Sequence, residues 1–249
     1  PTRGGGVRVD VGTVSIEECS ITGNAASSGG GLAVIGGTVT VTDSDINDNS
    51  ALSTATINGG GGGFYQSGGT LSLIDTAVYD NDAVRDGGGG YVNNGTFSAN
   101  GSEFTTNYAQ YNGGAMRLLG TSTLTGVYIA GNDADLAGGG GIYHTIGALS
   151  LVDSLVEANT AAANGGGVYQ AVGSLSCSTT GSGTYGFLGN SAVIGGGVYT
   201  VSTATFSSSS CDFGTDASTN NAPTDVRQGS GNYNYGNNAT FSCSGNSCI

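Results

Sequence analysis

The stretch Asn159–Cys177 reads NTAAANGGGVYQAVGSLSC, and Asn190–Ser208 repeats its pattern as NSAVIGGGVYTVSTATFSS. Each copy opens on Asn-x-Ala, continues into a glycine run and ends in a segment that alternates apolar and polar residues. The two asparagines are 31 residues apart, a period that is typical of solenoids, propellers and repeat arrays.

The same pattern extends along nearly the whole chain. The asparagines recur at 25 to 32 residue intervals, at Asn24, Asn49, Asn81, Asn107, Asn132, Asn159, Asn190 and Asn221. The glycine runs end at Gly6, Gly31, Gly63, Gly90, Gly114, Gly141, Gly167 and Gly197. These positions define eight copies, covering residues 4 to about 222.

Three apolar positions recur in each copy. The first follows the glycine run, at Val7, Leu32, Phe64, Tyr91, Ala115, Ile142, Val168 and Val198. The second lies in the alternating segment, at Val14, Val39, Leu71, Phe97, Leu124, Leu149, Leu175 and Phe206. The third lies three residues before the asparagine, at Ile21, Ile46, Val78, Phe104, Ile129, Val156 and Phe187.

Period-two alternation predicts strands, and no segment shows a helical period. Three short strands per copy predict an all-β, right-handed parallel β-helix of about eight coils over residues 1–222. Residues 223–249 break the pattern and are predicted to form a C-terminal cap or an irregular final coil. The glycines are expected at tight corners, and the asparagines are expected to stack from coil to coil as a hydrogen-bonded ladder.

The repeats resemble a known class. GGAM at Gly113–Met116 and FTTN at Phe104–Asn107, with variants such as ITGN and VEAN elsewhere, are similar to the Gly-Gly-Ala-[Ile/Leu] and Phe-x-x-Asn repeats of polymorphic outer-membrane proteins and related secreted β-helix proteins. This resemblance implies a cell-surface or secreted stalk, often one that acts in adhesion.

Composition narrows the classes of partner. The chain has five arginines, no lysine and 18 acidic residues, for a net charge of −13, which argues against nucleic acid and anionic membranes as partners. No apolar run approaches the roughly 18 residues of a membrane span. Calcium or a cationic partner is compatible with this charge.

Five cysteines without a metal-binding spacing predict disulfides in an extracellular or cell-surface protein. Cys177 and Cys211 lie on consecutive coils, and Cys243 and Cys248 lie five residues apart, so these are the expected pairs. Cys19 is left free or bonded to another chain.

One candidate metal site follows from the register. Glu18, Asp43 and Asp75 occupy one position in the first three coils, and Asp153 returns to it later. Stacked carboxylates predict weak calcium binding, whereas the alternative is that these residues shape Asx-type turns.

Other surfaces carry alternatives of their own. Tyr65, Tyr143, Tyr169 and Tyr199 form a column that either covers the corners or offers a stacking surface for a sugar or a partner chain. Thr-x-Thr and Thr-x-Ser pairs, such as Thr38/Thr40 and Thr123/Thr125, resemble ice-binding arrays. His144, the one histidine, is expected at the surface. The sequons are Asn94, Asn100 and Asn238, which matter only in a glycosylating source.

No constellation of acid, base or nucleophile stands out, so the predicted function is non-catalytic: a structural or adhesive segment that acts by association with other protein chains. Because the repeat is at full strength from Gly4, residues 1–12 are expected to form an open end that meets another chain, another domain or upstream coils. The C-terminal tail, with Tyr233, Tyr235 and Phe241, could be the complementary surface in a filament. The alternatives are a carbohydrate-active enzyme of the lyase, hydrolase or epimerase type and an ice-binding solenoid.

Overall fold

The computed structural model shows an all-β solenoid of about eight turns, built from parallel sheets. It describes residues 2–55, 59–214, 220–229, 231–233, 239–244 and 247–249. No helix occurs within these ranges. The prediction of a β-helix is therefore confirmed.

Two of the four sheets run the full length of the solenoid and have ten strands each. The first sheet contains Val7–Val9, Leu32–Val34, Phe64–Gln66, Gly90–Val92, Met116–Leu119, Ile142–Ile146, Val168–Gln170, Val198–Thr200, Val226–Gln228 and Gly231–Tyr233. The second contains Thr13–Glu17, Thr38–Thr42, Thr70–Ile74, Thr96–Asn100, Ser122–Thr125, Ala148–Val152, Ser174–Ser178, Thr205–Cys211, Ala239–Ser244 and Ser247–Cys248.

The other two sheets are narrower and lie on the return path to the next glycine corner. The third sheet has seven strands: Ser20–Thr22, Asp45–Asn47, Ala77–Tyr79, Glu103–Thr105, Tyr128–Ala130, Leu155–Glu157 and Gly186–Leu188. The fourth has six: Ala25–Ala26, Ser50–Ala51, Asp82–Ala83, Tyr108–Ala109, Asp133–Ala134 and Thr160–Ala161.

The core consists of columns of side chains that meet their equivalents one coil away. The column three residues before the asparagine is in the predicted register throughout, from Ile21 to Phe187. All its members are buried. In a parallel sheet a slip of one residue would turn these side chains to solvent, so burial along the whole column fixes the register.

The first-sheet column departs from the prediction in two coils. Gly90 and Met116 hold the inward places expected for Tyr91 and Ala115. Phe64 fills the space that a side chain at residue 90 would need, because a Cβ there would lie 2.2 Å from the Phe64 Cζ atom. Tyr91 consequently points outward.

The prediction for the second-sheet column is also wrong in one coil. Ser122, not Leu124, lies between Phe97 and Leu149 in this column, and Leu124 pairs two residues further along its strand. The cause is a turn that is one residue shorter. Ser122 follows Leu118 by four residues, whereas in the next coil Leu149 follows the equivalent His144 by five residues. Leu124 is still buried, because a shift of two residues preserves the face.

Glycine is required at the corners for two separate reasons. Gly29 has a φ of 62°, a conformation that residues with a Cβ rarely adopt. Gly30 has no room for a side chain, since a Cβ would lie 2.6 Å from the carbonyl oxygen of Gly62 in the next coil. The glycine runs therefore mark close stacking of coils.

The C-terminal end is built differently from the other coils. Val226–Gln228 still pairs in parallel, but Gly231–Tyr233 and Ala239–Ser244 pair antiparallel with the preceding strands, as does Ser247–Cys248. The cysteines pair as predicted, Cys177 with Cys211 and Cys243 with Cys248, and Cys19 is free and exposed.

Candidate functional site

The recurrent asparagines form a continuous hydrogen-bonded ladder inside the solenoid. In each of seven successive pairs, from Asn24–Asn49 to Asn190–Asn221, the Nδ2 atom donates to the Oδ1 atom of the next coil at 2.8–3.1 Å. The main-chain N–H of the same residue donates to that Oδ1 atom as well. The predicted ladder is present.

The apolar-x-x-Asn spacing has a direct structural cause. The Nδ2 atom of Asn81 also donates to the carbonyl of Ile46 at 2.8 Å, and that of Asn190 donates to the carbonyl of Val156 at 2.8 Å. The asparagine of one coil thus satisfies the backbone of the core residue in the coil before it. Burial of these amides is tolerated because their donors and acceptors are paired.

The two ends of the ladder differ. At the C-terminal end, the Nδ2 atom of Asn221 donates to the Oδ1 atom of Asp225 at 3.1 Å. On all the earlier rungs the acceptor is the asparagine of the next coil. At the N-terminal end, the Oδ1 atom of Asn24 receives no hydrogen bond from the residues that the structure describes. Asn24 is therefore the first rung of the ladder among the described residues.

A second, shorter ladder ends at the same place. The main-chain N–H of Cys19 donates to the Oγ atom of Ser44 at 3.0 Å, as Thr76 does to Ser102. The Sγ atom of Cys19 contacts the carbonyl of Glu17 at 2.9 Å, as the Ser44 hydroxyl contacts Thr42. Cys19 therefore takes the position of the ladder hydroxyl on the first coil.

These residues lie on what we call the first-coil edge, formed by Val7–Val9, Thr13–Glu17, Ser20–Thr22 and Ala25–Ala26. Each of these strands is the last of its sheet on one side. Val7, Val14 and Ile16 end the core columns there and are only partly buried. At this edge the described strands are paired on one side only, and no described residue donates to the Oδ1 atom of Asn24.

The predicted acidic column lies at a turn. Glu18, Asp43, Asp75 and Asp153 all have positive φ angles, between 46° and 49°. A left-handed backbone favours Gly, Asn and Asp over other residues, which supports the interpretation as turn residues. In the part of the chain that the structure describes, no group of three or more His, Cys, Asp or Glu side chains could hold a metal ion. Calcium binding by Glu18, Asp43 and Asp75 stays a prediction.

The tyrosine column is longer than the sequence suggested. The register aligns its outward residues as Arg8, Ala33, Tyr65, Tyr91, Arg117, Tyr143, Tyr169, Tyr199 and Arg227. Sequence reasoning missed Tyr91 and Arg117 because of the slip at Gly90.

The geometry of these rings favours packing over ligand stacking. Tyr143 and Tyr169 stack with centroids 4.6 Å apart, and Tyr169 and Tyr199 with centroids 5.1 Å apart. Both faces of Tyr169 are therefore covered, and a sugar has no free face there. Burial, reinforced by the neighbouring phenols, raises the pKa of Tyr169 to about 12.

The hydroxyl-bearing face of the second sheet is regular over four coils. Thr13, Thr38, Thr70 and Thr96 stack in register. The pair Thr123/Thr125 was expected to align with Thr96 and Ser98, but both threonines lie two residues further along the strand, opposite Ser98 and Asn100. Ala148 then continues the column, so the array is interrupted.

His144 is not a surface residue, contrary to expectation. It is fully buried in the inward column between Leu118 and Gln170. Its Nδ1 atom lies 2.6 Å from Gln170 Oε1, and its Nε2 atom 3.0 Å from the carbonyl of Gly120. The alternation of the strand indicates this burial, because an outward Tyr143 requires that residue 144 point inward.

Two of the three sequons can be placed. Asn94 and Asn100 are both exposed, whereas Asn238 lies outside the described residues. Their use as glycosylation sites stays a prediction.

No protein-family model, curated protein or solved structure matches this chain. The solenoid itself is shown by the structure, and the likeness to outer-membrane repeats rests on the motifs alone. Among the described residues, no helix is long and apolar enough to span a membrane. The two disulfides indicate an oxidising environment.

Proposed function

We propose that this chain is an extracellular structural or adhesive segment that acts by association with other protein chains. The observation that carries the proposal is the regular parallel stack, in which the described strands of the first coil are paired on one side and present the other side to a further coil, either from upstream in this protein or from another chain. Unpaired strand edges readily pair with another chain unless they are blunted or covered. Here the edge ends on Val7, Val14 and Ile16, which gives such pairing an apolar driving force.

Extracellular placement is supported by the disulfides and by the motif resemblance. Cys177–Cys211 joins two coils from within the core, and such bonds persist in oxidising compartments. The resemblance to polymorphic outer-membrane repeats supports a surface or secreted stalk. The negative net charge of −13 favours cationic or neutral partners over nucleic acid.

Sedimentation velocity over a range of concentrations tests the association. The informative variant is Ile16→Asp, which places a charge at the end of a core column on the first-coil edge. Thr123→Asp adds the same charge to an exposed position in the middle of the solenoid and serves as the matched control. We expect the average mass of the wild type and of Thr123→Asp to rise with concentration, and that of Ile16→Asp to stay monomeric.

The proposal fails if the wild type stays monomeric at the highest concentration while the amides of Thr13–Glu17 exchange as slowly as those of Thr70–Ile74. Turnover of an acidic polysaccharide by the purified chain would instead favour the carbohydrate-active enzyme.

An ice-binding function is the second candidate, supported by the stacked column Thr13, Thr38, Thr70 and Thr96. A hydroxyl array on a flat parallel sheet repeats at about 4.8 Å, which suits a regular surface. Ice-recrystallisation inhibition by the wild type, lost in Thr70→Lys, would support it. Equal behaviour of the two chains would remove it.

A further inference from the structure

We infer that the outward side of the first sheet, from Tyr143 to Tyr199, docks an extended acidic segment of another protein. The segment lies along the row of stacked tyrosines, with apolar side chains on that row and carboxylates at the arginines beyond its two ends. This inference rests on the proposed function, since it names a surface and a class of partner for association with other protein chains.

Exposed aliphatic side chains flank the tyrosine row on both sides. Ile146 and Val172 lie at the turn into the second sheet, and Leu136 and Val193 lie on the other side, before the glycine corners. These four side chains are 47–66% exposed, and exposed apolar patches rimmed by polar groups are typical of protein interaction sites. The tyrosine face consists of these four residues together with Tyr143, Tyr169 and Tyr199.

The tyrosine face is continuous across the glycine corner. A Cβ at Gly138 would lie 3.2 Å from the Cδ2 atom of Tyr169, so the tyrosine ring packs over this corner, close in sequence to Leu136. The three tyrosines are half-buried, and their stacking covers the ring faces between them. The row therefore offers ring edges to a partner, beside the aliphatic side chains.

All the positively charged side chains of the chain lie on this side of the solenoid. The chain has five arginines and no lysine. Arg8, Arg117 and Arg227 hold outward positions of the first sheet, and Arg3 and Arg85 precede the glycine corners that lead into it. Exposed charges more than about 8 Å apart are largely screened at physiological ionic strength. The carboxylates on the other sides of the solenoid therefore weaken this local positive charge little.

An arginine stands beyond each end of the tyrosine row. At one end the guanidinium carbon of Arg117 lies 5.7 Å from the ring centroid of Tyr143. At the other end Arg227 pairs in register with Tyr199, and its Nη1 atom donates to Asn232 Oδ1 at 2.6 Å. Four coil steps separate the two arginines, a distance of about 19 Å that about six residues of an extended chain would span.

Arg85 lies beside the Arg117 end of the face. Its guanidinium carbon is 4.0 Å from the ring centroid of Tyr111, and the main-chain N–H of Leu136 donates to the carbonyl of Gln110 at 3.0 Å, which places Leu136 one coil further on. Among the residues that the structure describes, no carboxylate lies within ion-pair distance of Arg85. Its charge is therefore open to a partner.

The carboxylates near these arginines do not point out of the tyrosine face. Arg117 donates to Asp86, which is fully buried, and Asp225 is buried as well. Asp135 is exposed, but it accepts a hydrogen bond from the hydroxyl of Tyr108 at 3.2 Å, on the side of the fourth sheet. The face thus presents guanidinium donors, and a carboxylate is the acceptor that matches their geometry and charge.

An extended acidic segment fits both features of the face. Side chains of an extended chain alternate between its two sides, so two carboxylates six residues apart point the same way as the apolar side chains between them at every second position. Such a segment would place its carboxylates at Arg117 and Arg227 and its apolar side chains on the tyrosine row.

A peptide titration of the full chain tests the docking. The probe is the end-capped peptide ETVTVTE, in which the two glutamates and two valines share one side. We expect it to shift the amide resonances of Ile142–Ile146, Val168–Gln170 and Val198–Thr200 in the ¹⁵N-labelled chain, and to leave those of Thr38–Thr42 unchanged. The peptide QTVTVTQ, which lacks the carboxylates, should bind with a several-fold higher Kd.

Matched variants locate the binding surface. Val193→Asp places a negative charge on the tyrosine face and should raise the Kd for ETVTVTE several-fold. Leu52→Asp adds the same charge at another residue that is 59% exposed, and it should bind as the wild type does. Arg85→Gln should also weaken binding, whereas Arg8→Gln should not, because Arg8 is paired with Asp10 at 2.7 Å.

Several results would overturn the acidic segment as the occupant. Equal binding of ETVTVTE and QTVTVTQ would do so, as would equal losses in Val193→Asp and Leu52→Asp, or unchanged binding in both Val193→Asp and Arg85→Gln. Concentration-dependent self-association that Val193→Asp abolishes, without peptide shifts, would assign the face to a second copy instead. If the peptide does not bind while Ile16→Asp still abolishes association of the wild type, the proposed function stands and only this surface is wrong.

Discussion

The Nδ2 atom of Asn159 lies 3.0 Å from the Oδ1 atom of Asn190, and the main-chain N–H of Asn159 donates to the same oxygen at 3.0 Å. One side-chain oxygen therefore joins two adjacent coils through two hydrogen bonds. Because both residues are fully buried, neither water nor a rotated side chain can replace these bonds.

Asn159→Ala should be strongly destabilising. It removes the acceptor of two donors on Asn132 and the donor to the carbonyl of Ile129. Each buried group left unpaired costs about 1–3 kcal/mol, so we expect a loss of about 3 kcal/mol or more in urea-induced unfolding.

Asn24→Ala is the matched control, because no described residue donates to its Oδ1 atom. It should cost about 1 kcal/mol, the net value of an ordinary hydrogen bond. An equal loss for Asn24→Ala and Asn159→Ala would mean that the ladder is not the source of the stability.

The repeat itself could be predicted because a solenoid places equivalent residues at equivalent positions in every coil. The ladder from Asn24 to Asn221 and the column from Ile21 to Phe187 were visible for this reason. Where coils differ in turn length, the pattern in the sequence no longer gives the register. The short turn between Leu118 and Ser122 shifts Leu124 to the next inward position of its strand. The strand propensities of the residues do not predict such a shift.

The tail was less accessible to sequence reasoning for a different reason. It has no internal repeat, so no equivalent position shows which of its residues face the core. Phe241 was interpreted as part of a complementary surface in a filament, which stays a prediction, and the structure buries it against Phe206 and Phe213. The expectation that residues 1–12 meet another chain, another domain or upstream coils stays a prediction, and the place of Asn24 in the ladder required the hydrogen-bond geometry.

The acidic column yields a prediction that separates turn from metal site. Asp43 has a φ of 46°, and glycines take the left-handed conformation at the equivalent turns of Gly101 and Gly126. Asp43→Gly should therefore leave stability nearly unchanged, whereas Asp43→Val should cost about 1–2 kcal/mol, because a Cβ-branched residue disfavours this conformation.

Calorimetric unfolding with and without calcium completes this test. If the acidic residues serve only the turn, calcium should leave the melting temperature of the wild type and Asp43→Asn unchanged. A calcium-dependent rise in the wild type that is absent in Asp43→Asn would establish the metal site at Glu18, Asp43 and Asp75.

The disulfide between coils predicts where the solenoid opens first. Cys177 and Cys211 are buried and 34 residues apart in sequence, so their bond restricts the unfolded chain. Replacement of both by alanine should cost about 2–5 kcal/mol. Hydrogen exchange should accelerate first in Gly186–Leu188 and Val198–Thr200. Cys19→Ser should change neither quantity, and faster exchange at Leu32–Val34 instead would contradict the assignment.

The stacked tyrosines predict a loss of stability in alkali. Burial raises the pKa of Tyr169 to about 12, above the value near 10 of an unfolded chain. Between these values the unfolded state loses its proton while the folded state keeps it, so ionisation favours unfolding. Its stabilising contribution should therefore be complete below about pH 10 and should decline as the pH rises towards 12.

Tyr169→Phe removes this phenol and keeps the ring, so its unfolding free energy should fall less over the same range than that of the wild type. Urea titrations at about pH 8 and about pH 11, with Tyr111→Phe as a control outside the stacked row, measure the difference. Equal losses of unfolding free energy in the wild type and in Tyr169→Phe would show that the raised pKa of Tyr169 is not the source of this pH dependence.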